Sequence, residues 1–121
     1  MDTSAAAASA AVMVITSCPA PTGDGQSRDV AAELSRALVE ERWAACVSVV
    51  AGARSTSRWQ GALCVEPEVL CLIKTTADRA PGLMRRLAAL HPYEVPEMLV
   101  LEVGDAWPPY LAWLVAETRP R

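Results

Sequence analysis

The stretch LHPYEVPE, residues 90 to 97, holds the only histidine of the chain, His91, together with Tyr93, Glu94, Glu97 and two prolines. Neutral imidazole is a ligand for copper or zinc, and it combines well with a thiolate. Cys18 offers that thiolate: it lies in SCP, on a loop after a short apolar strand and ahead of a helix whose N-terminus would lower its pKa. A plain structural account stands beside each. A histidine at a helix C-terminus bonds the free carbonyls there, and Pro92 and Pro96 stiffen a turn that leads into a strand. Cys46, between Ala45 and Val47, reads as a small buried hydrophobe, and so do Cys64 and Cys71.

A second constellation joins Tyr93, Glu94 and Glu97 to Lys74 and Trp59, which would give carboxylates, one cation and aromatic walls. Between subunits, such a group could hold an anion or a small metabolite. The structural alternative pairs Lys74 with a glutamate. Trp43, Trp59, Trp107 and Trp113 read as core and interface anchors. GDGQS lacks the spacing of a phosphate-binding or dinucleotide loop, and no nucleophile elbow is present. A cysteine hydrolase built on Cys18 and His91 would need an orienting third group, and the sequence nominates none.

These side chains need elements to hold them. VMVIT, residues 12 to 16, predicts a strand that ends at the Pro- and Gly-rich SCPAPTGDG. From Arg28 to about Trp43 the apolar residues Val30, Leu34, Ala37 and Leu38 recur at helical spacing. ACVSVVAGARSTSRW predicts a long strand with a bulge at Gly52, and Gln60-Gly61 a hairpin turn. The hairpin runs from about Ala45 to Cys71, and VLCLIKTT, residues 69 to 76, has the doubly apolar pattern of a central strand. Asp78 is a candidate N-cap, Pro81 suits a first helical turn, and Leu83, Met84, Leu87, Ala88 and Leu90 form a buried stripe. MLVLEV, residues 98 to 103, gives a fourth strand, and PPYLAWLVAE a closing helix. The order β-α-β-β-α-β plus a helix is the α+β split β-α-β, or ferredoxin-like, sandwich.

The 121 residues suit one domain, expected over 12–119, behind an Ala- and Ser-rich disordered tail at 1–11. Fourteen acidic against eleven basic residues give a net charge of -3 and a pI near 5.1, which argues against nucleic acid as a partner. A hydrophobic fraction of 52% and a mean hydropathy of +0.20 without a membrane-length run suggest an oligomer and no membrane partner. The cysteine spacings match neither a zinc ribbon nor a disulfide framework, and no secretory signal opens the chain, so a reduced, cytoplasmic protein is expected.

SCP, LVEERWAACV, SRWQG, LIKTTAD, LHPYEVPE and YLAWL, in this order, resemble the CutA family of divalent-cation tolerance proteins over roughly residues 12 to 119. The resemblance implies a ferredoxin-like protomer in a homotrimer, with long hairpin strands pairing across subunits. It also implies a likeness in shape to the PII signalling proteins, a tie to metal tolerance and copper binding, and no agreed catalytic activity. No cofactor is obligatory on this reading, and copper or another divalent metal is optional. Two departures remove negative charge: APTGDGQS replaces the usual acidic pair after Cys18-Pro19, and Gln60 stands where a carboxylate is common. Thr16 and Leu90 stand where some members carry a further cysteine and histidine. Weak copper binding at Cys18 and His91, between subunits, is the resulting expectation. The alternative is a PII-like module that takes a small anionic metabolite in the cleft around Trp59, Lys74, Tyr93, Glu94 and Glu97.

Overall fold

A computed structural model describes residues 10–120. The elements are β1 (Ala11–Pro19), α1 (Val30–Glu40), β2 (Cys46–Trp59), β3 (Ala62–Thr76), α2 (Ala80–Leu90), β4 (Leu99–Glu102) and α3 (Pro108–Glu117). The four strands form one antiparallel sheet in the order β2-β3-β1-β4, the ferredoxin-like arrangement with an added C-terminal helix. Most of the expected tail, residues 1–9, lies outside the described residues, whereas Ala11, assigned to it by composition, is the buried first residue of β1.

Alternation along the strands sorts side chains onto two faces. Val14 and Cys18 of β1 and Val69, Cys71 and Ile73 of β3 share the face that receives Leu34 and Leu38 of α1 and Leu83 and Leu87 of α2, and this is the main core. Met13, Ile15, Leu70 and Leu72 take the other face, continued by Leu99 and Leu101 of β4, which stay 56% and 41% exposed. α3 covers only one end of the molecule, where Leu111 and Leu114 pack on Ala11 and Ala45.

α1 starts at Val30 because the Asp29 carboxylate accepts from the Ala32 N–H, and it stops at Glu40 rather than near Trp43. Arg42 turns left-handed at φ 64°, while the N–H groups of Arg42 and Trp43 bond the carbonyls of Val39 and Leu38. This is a Schellman ending without its usual glycine, and it swings Trp43 off the helix and against the core. α2 lacks the expected Asp78 cap: Arg79 holds that position, Pro81 lies in the first turn, and the Asp78 carboxylate is taken by Arg119 and Thr76.

The β2-β3 register shifts between Val50 and Ala53, at Gly52 with φ 90°, which is the bulge expected there. Gln60 and Gly61, at φ 49° and 81°, close the hairpin as a two-residue turn of the primed type. β1 ends opposite Glu68, so the pairs from Arg54↔Pro67 to Trp59↔Ala62 form a two-stranded arm beyond the sheet, about 20 Å long.

Candidate functional site

β1 runs three residues past Thr16, the expected end, because Val69 and Glu68 of β3 offer it a partner. Cys18 therefore belongs to a strand rather than a loop, faces the core and is fully buried. α2 ends at Leu90, directly beside this end of β1, and delivers His91 to it. The Sγ of Cys18 lies 3.9 Å from His91 Nε2 and 3.9 Å from the Sγ of Cys71. The thiol–imidazole pair expected between subunits is thus made within one, because the strand's extension and the helix's end already bring the two together.

His91 is buried and doubly engaged. Its Nδ1 accepts from the Tyr93 N–H at 3.1 Å, which assigns the proton to Nε2, and Nε2–H donates to the Ser17 carbonyl at 2.8 Å. Its backbone N–H bonds the Leu87 carbonyl at the helix end, but the imidazole does not bond a helix carbonyl, as the structural account had it, and instead ties the loop after α2 to β1. The Cys18 thiol is pushed far up, first by sharing a hydrogen bond with Cys71, then by burial and by the negative charges of Glu68 and Asp29. Tyr93 stacks near the imidazole with ring centroids 4.7 Å apart, and its hydroxyl donates to Glu68 Oε2 at 2.7 Å. Burial and that carboxylate hold the phenol above its ordinary range.

The fit of this cluster to a divalent metal can be judged from its donors. Both ring nitrogens of His91 are occupied, the thiol resists ionisation, and no group of three or more His, Cys, Asp or Glu able to hold a metal occurs among the described residues. As arranged, the pair would hold a divalent metal only by giving up its own hydrogen bonds and ionising the thiol, which makes it a weak two-ligand site.

The second constellation is not assembled in one subunit. Trp59 sits at the arm's tip, and Glu94 and Glu97 are exposed on the loop before β4. Lys74 is six positions along β3 from Glu68, the partner of Tyr93, which is about 20 Å in a strand. Nor does Lys74 pair with a glutamate: its ammonium donates to Ser48 Oγ and lies 4.0 Å from the Sγ of Cys46.

Glu68 and Cys71 belong to the cluster yet were not legible as site residues. The parity of β3 groups Cys71 with Val69 and Ile73, which correctly reads as buried, but only the β1-β3 register shows that it meets Cys18. Glu68 is 6% exposed, and no pattern in EPEVL announces a buried carboxylate.

Comparison with known proteins agrees with this architecture. The family model described as CutA1 divalent ion tolerance protein matches residues 12–117. The divalent-cation tolerance protein CutA of Thermus thermophilus is 47% identical over 92 residues, covering 76% of this chain and 89% of that protein. Its counterpart in Pectobacterium atrosepticum is 40% identical over 106 residues, covering 88% and 92%. The crystal structure of CutA from Xylella fastidiosa superposes with a TM-score of 0.81 at 38% identity, covering 90% of this chain and 98% of that one. The relatives' names refer to tolerance of divalent cations and to no reaction, and no helix among the described residues is long and apolar enough to cross a membrane. With nearly the whole described chain matched and its strand order accounted for, the chain belongs to the CutA1 family of divalent ion tolerance proteins.

Proposed function

We propose that the protein acts without catalysis, as a cytoplasmic homotrimer of the cation-tolerance type that responds weakly to divalent metal, copper foremost. The observation that carries the assembly is the uncovered apolar surface. A two-stranded arm is marginal in water by itself, and this one exposes Leu63 at 70% and Val65 at 52%. The sheet face of Met13, Ile15, Leu72 and Leu101 is met by α3 only at its Ala11 end, and β4 is a short open edge. A closed ring of three, with each arm laid on a neighbour, covers all three features at once.

Copper is the metal that a thiol and an imidazole would select. Since Cys18 and His91 are already committed inside the subunit, the reading is of weak binding rather than storage. Calorimetry with copper on the parent protein, Cys18→Ser and His91→Ala tests it. Weak binding that declines further in both variants is expected. Equal binding in all three would remove the pair from the metal response.

A second reading, a PII-like module that takes a small anion, is favoured by one observation. Lys74 is a half-buried cation with no carboxylate within 4.0 Å among the described residues.

A further inference from the structure

Arg54 and Arg58 stand exposed on the arm, and neither has a carboxylate within 4.0 Å among the described residues. The register puts them on one face: Arg54 is opposite Pro67, Thr56 opposite Val65 and Arg58 opposite Leu63. Directly paired residues point the same way, so this face carries two guanidiniums around the exposed Leu63 and Val65. It continues the parity of Val69, Cys71 and Ile73, which is the helix side of the sheet. The arm's other face differs in kind, since Ser55, Ser57 and Trp59 lie there with Cys64 and Glu66.

The opposite pattern lies on the loop that α2 sends into β4. Glu94 and Glu97 are exposed, have no cation within 4.0 Å among the described residues, and flank the exposed Val95. Because the loop leaves α2, it starts on the helix side. It also lies at the end of the sheet from which the arm extends, for His91 is tied to Ser17 and β4 begins opposite Ile15. Glu102, across from Val12, is at the far end. The order β2-β3-β1-β4 leaves β2 and β4 as two unlike edges, and a closed ring sets unlike edges together because its contacts run head to tail. Where one sheet continues edge to edge into the next, helix side meets helix side. β2 runs on past the sheet as the arm, so the part of the next copy beside it is the loop before β4.

We infer that Arg54 and Arg58 of one copy dock on Glu94 and Glu97 of the next, with Leu63 and Val65 against Val95, and that this charge clamp fixes the register of the ring. The inference rests on the trimer proposed above and adds what selects it, since complementary charge gives an interface its specificity more than its raw affinity. An acidic segment of another protein could meet the same two arginines. Only a second copy of the chain brings the two carboxylates together with an open strand edge that needs a partner.

Light scattering across a dilution series, with urea added until the parent trimer half-dissociates, reads the clamp. Arg54→Glu with Arg58→Glu should raise the midpoint concentration roughly tenfold or more, and Glu94→Arg with Glu97→Arg should do the same. All four reversals in one chain should bring the midpoint back to within about threefold of the parent, as direct contact between the two sets requires. Arg54→Gln with Arg58→Gln, which removes charge without adding repulsion, should flatten the dependence of the midpoint on ionic strength. A parent trimer that tolerates the arm reversal would overturn the clamp, leave the trimer standing and free the arginines for another acidic partner. A fourfold variant as loose as either double variant would also overturn it, because the arginines would then face some other group. A parent protein that never reaches the trimer mass would remove the trimer and the clamp together.

Discussion

Gly82 lies in the first turn of α2 with the indole of Trp43 against it. A Cβ built there would meet Trp43 Cζ3 at 2.3 Å, Cη2 at 2.7 Å and Cε3 at 3.2 Å. The ring has no retreat, because the Arg79 guanidinium is stacked 3.9 Å from its centroid. Gly82→Ala gains up to about 1 kcal/mol of helix propensity. Overpacking costs about 1–3 kcal/mol, and an overlap of this depth with a clamped ring belongs at the upper end. A net destabilisation of about 2 kcal/mol is expected. The assay is urea unfolding at one fixed protein concentration, since the proposed assembly would link stability to concentration. Gly23→Ala, where nothing lies within 4 Å of the added methyl, is the control and should stay within about 0.5 kcal/mol of the parent. Placing Gly82→Ala on a Trp43→Leu background should recover most of the loss, as contact between the two sites requires. A Gly82→Ala protein as stable as its parent would refute the close packing of α2 on Trp43, and with it the placement of His91 at the end of that helix.

Three further outcomes follow from the same contacts. His91→Ala strips the Ser17 carbonyl and the Tyr93 N–H of a buried partner and should destabilise by about 2–3 kcal/mol in thermal or urea melts; an unchanged melt would mean the imidazole is not the tie described. Asp78 is held down to about 2 from 3.8, first by its hydrogen bonds from Arg119, so its contribution is complete above about pH 3.8 and is lost as the pH falls toward 2. Because the pair is about a third exposed, Asp78→Asn should cost about 1 kcal/mol at pH 7, and its melting curve should converge on the parent's near pH 2; a gap that stays constant with pH would count against the pairing. Cys18 and Cys71, both fully buried, should resist a thiol reagent in the native protein and react in denaturant, and fast native labelling of either would show that this end of the core opens.

The element order, the bulge at Gly52, the Gln60-Gly61 turn and the limits of α3 were legible because each rests on local chemistry: period, turn residues and paired prolines. Two of the misplacements share one physical cause, which is partners remote in sequence. β1 extends to Pro19 because β3 is there to pair with it, and Asp78 leaves its capping role because Arg119, from the chain's last turn, claims it. The shortened α1 is a backbone matter: a left-handed arginine ends it where the sequence shows no glycine. Within the site, Cys18 and His91 could be named from residue type alone. Their hydrogen bonds to Ser17 and Tyr93, the buried Glu68 and the separation of Lys74 from Tyr93 are properties of the register, which residue types do not encode.

In the proposed trimer the bare arm and the open sheet face are covered by two further copies of the chain. Light scattering coupled to size exclusion, across a range of protein concentrations, measures this directly. The prediction is a mass three times that of the 12.9 kDa protomer, with Leu63→Asp on the arm shifting it downward. A monomeric or dimeric mass for the parent protein would contradict the account.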